Sequence, residues 1–314
     1  MSYFASTGSG GFAAARSGSV IYQAHGDVDR LTWFDRNGQA GGQVGPAGDY
    51  LSLSISACGK RALASRRRAG LGSYDLWALD LERSVETAIT SDPDSEFGDF
   101  WLPDGKSIFY STVREANPQI MRRDLATGSD VPVYPSSGFQ EALDVSPDGR
   151  TLVFAERQAG RGFELFTLPV SGGSPPAKMP RTVNSERFRF SPDGNAVAFL
   201  SEESGRPEAY VAPISQGEST RVSAEGASLL SWSRDGKELV YVALDGKVAS
   251  VSVKTTPSLE VGRSVPLFRV PEAKSWRNFD VAPEGRLLAI VNEVSGSLQP
   301  ATVAIHWTPE AEKR

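Results

Sequence analysis

Apolar residues along this chain come in runs of four to six, such as Leu152-Val153-Phe154-Ala155 and Ala196-Val197-Ala198-Phe199-Leu200, each closed by a polar turn. No stretch sustains the 3.6-residue apolar spacing of an amphipathic helix, so the pattern predicts strands and almost no helix. One turn recurs. Ser146-Pro147-Asp148-Gly149-Arg150 returns as Ser191-Pro192-Asp193-Gly194-Asn195, Ser233-Arg234-Asp235-Gly236-Lys237, Leu102-Pro103-Asp104-Gly105-Lys106 and Ala282-Pro283-Glu284-Gly285-Arg286. Ser56-Ala57-Cys58-Gly59-Lys60 carries Cys58 in the Asp position, and Ala15-Arg16-Ser17-Gly18-Ser19 keeps only the glycine. The glycines at 18, 59, 105, 149, 194, 236 and 285 are 41 to 49 residues apart. A period of about 40–50 residues built from strands alone is the signature of propeller blades.

Each repeat reads as four strands. An inner segment ends on an aromatic or aliphatic residue (Phe100-Trp101, Phe188-Arg189-Phe190, Leu230-Ser231-Trp232), and the Asp-Gly turn follows. Glycine supplies the positive φ such a turn needs, and Asp caps it through its carboxylate. A second strand comes next, then a third such as Leu31-Thr32-Trp33-Phe34-Asp35 or Asp75-Leu76-Trp77-Ala78-Leu79-Asp80, then an outer fourth. A lone four-stranded sheet with two apolar faces needs neighbours, and a closed ring supplies them. Seven turns predict an all-β, seven-bladed propeller spanning residues 1–314 as one domain, with six blades as the alternative if Gly18 matches by accident. The last repeat offers only three strands, through Ala301 to Trp307, so the expected closure is a shared blade in which residues Ser2 to Thr7 add the outer strand.

Composition narrows the function. Hydrophobic residues are 39% and aromatic 9% of the 314, enough for a sizeable core. Lys plus Arg number 33 against 38 Asp plus Glu, a balance without the basic excess of a nucleic-acid-binding domain. The single Cys58 rules out an internal disulfide framework and a CxxC metal site, and His25 and His306 stand in no ligand spacing. No apolar run approaches the ~20 residues of a membrane helix, so direct membrane insertion is not expected. The N-terminus lacks a basic n-region and an apolar h-region. A complete chain would then be cytoplasmic, whereas a fragment of a membrane-anchored protein would lie outside the cytoplasm.

Ser-Pro-Asp-Gly-(Lys/Arg) followed by a β-branched and aromatic strand resembles the PD40, or TolB-like, propeller repeat across residues 12–307. The segments Arg30 to Gly38, Asp75 to Leu81 and Ser231 to Leu239, with the ending Ala304-Ile305-His306-Trp307, resemble the C-terminal sensor propeller of bacterial eukaryotic-like serine/threonine kinases. That resemblance implies a sensing or binding module, kinase-attached or free-standing. It implies no kinase activity, since a Gly-rich phosphate loop, a His-Arg-Asp triplet and an Asp-Phe-Gly are all missing from the sequence.

With the first strand lining the channel, the Asp-Gly turns share one face and the longer, more variable loops share the other. Binding residues tend to sit on such loops over a rigid scaffold. The mouth on that face is expected to gather Tyr50, Glu96, Phe97, Gln140, Glu141, Glu186, Arg187, Trp276 and Arg277, a mixture suited to a protein or peptide partner. Asp49, Glu96, Glu141 and Glu186 at similar register make a channel Ca²⁺ conceivable, with solvated loop acids the ordinary reading, and no cofactor or metal is expected. The function expected is therefore a non-enzymatic, monomeric binding module. The competing readings are a propeller hydrolase or lactonase with a channel metal, and the regulatory propeller of an oligopeptidase, which lacks here the Gly-x-Ser-x-Gly elbow of its catalytic half.

Overall fold

The computed structural model describes residues 10–14, 20–24, 28–68, 72–114, 117–135, 138–157, 163–179, 187–214, 217–271, 274–293 and 302–304. Among them there is no helix. Six four-stranded antiparallel sheets follow one another along the chain. The first blade runs Tyr50–Ile55, Arg61–Arg67, Tyr74–Asp80 and Val85–Ala88; the second Glu96–Trp101, Ser107–Arg114, Asn117–Asp124 and Asp130–Pro132. The third is Phe139–Val145, Thr151–Arg157, Phe163–Pro169 and Ala177–Lys178; the fourth Phe188–Phe190, Ala196–Ser201, Glu208–Pro213 and Thr220–Arg221. The fifth is Leu229–Trp232, Glu238–Val242, Lys247–Lys254 and Glu260–Arg269.

The sixth blade closes the ring. Its two inner strands, Lys274–Val281 and Leu287–Glu293, come from the C-terminal part of the chain, and its two outer strands, Asp29–Phe34 and Ala40–Gly48, from the N-terminal part. Leu288 pairs with Trp33 and Ala289 with Thr32. The expected seven blades are therefore corrected to six, and closure by a shared blade takes place 25 or so residues later than expected. The segment 31–35 is a third strand, as its pattern predicts, but of the last blade rather than of an extra first one. Strands Gly10–Ala14 and Val20–Ala24 pair with each other, and the second pairs with Thr302–Ala304, in a three-stranded sheet that among the described residues shares no ladder with the ring. Gly18 and residues 2–7 lie outside the described residues.

Six apolar cores match the six blade interfaces, each shared by two consecutive blades. Strand alternation explains the arrangement: Val153 points into the core shared with the fourth blade and Phe154 into the core shared with the second. A middle strand thus buries both of its faces, which is why it reads as an unbroken apolar run.

The repeated turn has a physical role for every residue. Ser146 Oγ accepts the N–H of Thr151 at 2.9 Å and donates to Asp148 at 2.6 Å, and Asp148 accepts the N–H of Arg150 at 3.0 Å. Ser191–Asp193 and Ser233–Asp235 repeat the pattern at 2.6 and 2.7 Å. The turn proline packs on the turn glycine of the next blade: a Cβ on Gly59, Gly149, Gly194 or Gly236 would meet Pro283, Pro103, Pro147 or Pro192 respectively.

Candidate functional site

Inner strands begin on the loop face, where successive residues alternate between the interblade cores and the channel mouth. Three of the expected contact residues fall on the buried phase. Tyr50 is 1% exposed, with its ring in the core between the sixth and first blades and its hydroxyl donating to Pro46 O at 2.8 Å. Glu96 is also 1% exposed and accepts from Thr90 Oγ1 at 2.9 Å; burial, chiefly, pushes its carboxyl up to about 7. Gln140 is fully buried and donates to Glu156 at 3.2 Å, leaving its Oε1 without a partner. These three are corrected from mouth contacts to packing groups. Trp276 is half-buried among Phe34, Phe268 and Phe279, with ring centroids 4.9 to 5.8 Å away, so it belongs to an interblade aromatic cluster. Glu186 lies outside the described residues.

Four expected residues remain half-buried about the mouth: Phe97, Glu141, Arg187 and Arg277. Phe97 faces Phe139 of the third blade at 6.4 Å between ring centroids. Arg187, at the start of the fourth blade, donates to Arg277 O in the sixth at 3.3 Å and so spans the fifth. A bulge between Trp276 and Asn278 takes Arg277 out of the ladder and re-aims its side chain. Its Nη1 lies 3.2 Å from Asp49 Oδ1 and 3.4 Å from Asp29 Oδ2.

Asp49 is the hub that the sequence reading leaves among ordinary loop acids. Besides Arg277 it holds Arg67 Nε at 3.2 Å and accepts from Tyr74 OH at 3.1 Å, while the Arg67 guanidinium lies over the Tyr74 ring at 5.1 Å. Burial, with the Asp49 charge beside it, pushes the Tyr74 phenol up. The run Arg66-Arg67-Arg68 is not an open anion grip, because each guanidinium takes a different acid. Arg66 pairs with Glu86 at 2.8 Å and Arg68 with Asp75 at 2.6 Å. Among the described residues no three His, Cys, Asp or Glu side chains gather as a metal site.

At its other end, below the Asp-Gly turns, the channel widens into a cavity of about 370 Å³ to which all six blades contribute. The residue five before each turn glycine forms its ring: Ser54, Phe100, Asp144, Arg189, Ser231 and Asp280.

Comparison with known proteins fits this architecture. Residues 123–262 match the PD40 TolB β-propeller domain family. The Tol-Pal system protein TolB of Bordetella pertussis is 28% identical over 148 residues, which are 46% of this chain and 33% of that protein. The chain spans about a third of the length of the curated relatives it matches. TolB from Acinetobacter baumannii superposes with a TM-score of 0.60 at 16% identity, over 83% of this chain and 82% of that one. An oligogalacturonate lyase solved with manganese gives 0.52 at 18% identity, over 88% and 76%. At these identities the solved structures show the fold alone. The matched residues carry repeats similar to those of the PD40 TolB β-propeller domain, and the ring as a whole is a six-bladed β-propeller.

Proposed function

We propose that this propeller is a non-enzymatic binding module that engages a protein or peptide partner at the loop-face mouth of its channel. The observation that carries the reading is the Asp49 network: Arg277, Arg67 and Tyr74 converge on one carboxylate from the sixth and first blades, while Phe97 and Phe139 pair between the second and third. Guanidinium and aromatic groups held on rigid strands are the usual anchors of protein recognition. Mixed charge at the mouth favours a partner surface that presents both an acid and an apolar side chain. The match to TolB β-propeller repeats supports the same class of function, and placement beside a receptor-type kinase rests on the sequence resemblance alone.

Peptides selected on the isolated propeller from a displayed random library test the assignment. Binders should lose at least tenfold in affinity to R187E/R277E and keep it towards Asp148→Ala on the turn face. Binders that ignore the double reversal, with the fold intact by circular dichroism, would place recognition elsewhere.

A further inference from the structure

The ring of the turn-end cavity contains two carboxylates at one register, and the blades treat them differently. Asp280 in the sixth blade accepts the N–H of Val281 and, across the interface, the N–H of Ile55 in the first, both at 2.8 Å. Asp144 in the third blade does the same with Val145 at 2.8 Å and with Phe190 of the fourth at 2.7 Å. The backbone frames are equivalent.

The side chains that complete them are not. Towards Asp280 the preceding blade sends Ser231, whose hydroxyl donates at 2.8 Å, and Arg234, whose Nη2 donates at 2.7 Å. That guanidinium also donates to Ile55 O at 2.6 Å and to Val281 O at 3.1 Å, so three acceptors hold it: one carboxylate and two carbonyls. In the blade preceding Asp144 the matching residues are Phe100 and Pro103, neither of which carries a donor. Arg189 is the cation nearest in effect. Its Nη1 donates to Leu143 O and Phe188 O, both at 2.8 Å, and it forms no ion pair with Asp144. Burial outweighs its field and pushes the Asp144 carboxyl up to about 6. Asp144 therefore has the frame that grips a guanidinium beside Asp280 and lines, with Phe100, a cavity large enough for one. An aromatic ring lining such a cavity adds attraction for a cation.

We propose that Asp144, with the carbonyl oxygens of Val145 and Phe190, forms a binding site at the turn end of the channel for the guanidinium group of a ligand. It is a second site, at the opposite end from the mouth assigned above and independent of it. The chain occupies the sister position beside Asp280 with its own Arg234; the position beside Asp144 takes the same group from outside.

Isothermal titration with agmatine and with the capped tripeptide acetyl-Gly-Arg-Gly-amide tests this, with acetyl-Gly-citrulline-Gly-amide as the uncharged control. Both guanidinium probes should bind the folded propeller, and the citrulline peptide should bind at least tenfold more weakly. Binding of the tripeptide but not of agmatine would assign the site to peptide side chains; binding of agmatine as well would admit free guanidines. D144N should weaken either probe at least tenfold. P103R supplies from within the arginine that the fifth blade already carries at this turn position. It should abolish probe binding. Equal affinity in the parent, D144N and P103R, or no binding of either probe to the folded parent, would overturn the proposal.

Discussion

Replacing Gly59 or Gly285 by alanine separates what the repeated turn costs from what it contributes to ring closure. Both glycines have positive φ, +73° and +86°. An L-residue there costs about 1–2 kcal/mol, offset by roughly 0.5–1 kcal/mol from the stiffer unfolded chain. Gly285→Ala meets nothing within 4 Å, so it should cost only the remainder, about 1 kcal/mol. Gly59→Ala would place its Cβ 2.6 Å from Pro283 Cδ and 2.8 Å from Cγ, at the interface between the last blade and the first. Overpacking of that kind adds roughly 1–3 kcal/mol. At about 2 °C per kcal/mol for a domain of this size, the melting temperature should fall by about 2 °C for Gly285→Ala and by about 4–8 °C for Gly59→Ala. Calorimetry of the two variants, of P283A and of G59A/P283A completes the cycle, and the double variant should recover most of the difference. Equal losses at the two glycines, or no recovery on removing the proline ring, would refute the proline-on-glycine contact as an interblade fastening.

Three further expectations are more compact. Burial pushes Asp99 and Asp144 up to about 6, above the ordinary Asp value of 3.8. Such groups add most stability below pH ~4 and lose it as pH rises through ~6, so urea midpoints should fall between pH 5 and 7.5. Asp144 opens to the cavity, and discounting it leaves on the order of 2–3 kcal/mol for the pair; Glu96, at about 7, acts in the same direction. A midpoint that rises over that interval would contradict the burial of these carboxyls. Cys58 Sγ lies 3.4 Å from Ser56 Oγ, where other turns hold a carboxylate, so Cys58→Asp should leave the melting temperature unchanged or raise it by about 1–2 °C. A clear drop would show that the thiol has another role. A broad ester and lactone panel with added Ca²⁺ should show no turnover above blank, and sustained turnover would revive the hydrolase reading.

The architecture was legible because one turn leaves a visible mark: Ser, Pro, Asp and Gly each answer a backbone demand that recurs in every blade. The blade number was less so. Gly18 falls in step with the other glycines, yet the strands Asp29–Phe34 and Ala40–Gly48 pair with Leu287–Glu293, and long-range pairing of that kind leaves no local trace. The mouth suffered from phase. Residues at the start of an inner strand alternate between core and channel, so a one-residue difference decides whether Glu96 or Phe97 faces out. Bulges then break the alternation, as at Arg277, and nothing in a single sequence announces them. The ring five residues before each glycine was within reach of pattern reading, since Asp144, Arg189 and Asp280 interrupt otherwise apolar strand ends, but the tendency of binding residues to sit on variable loops points to the other face.

Closure by the hairpin of strands Asp29–Phe34 and Ala40–Gly48 is what brings Asp29 and Asp49 to Arg277. Cysteines at Thr32 and Ala289, paired across that closure, test it most directly in a Cys58→Ser background. Mild oxidation should give a monomeric intramolecular cross-link between 32 and 289, identified by mass spectrometry, in a protein that melts higher than its reduced form. Free thiols in the oxidised monomer, or cross-links only between molecules, would contradict a six-bladed ring closed in this way.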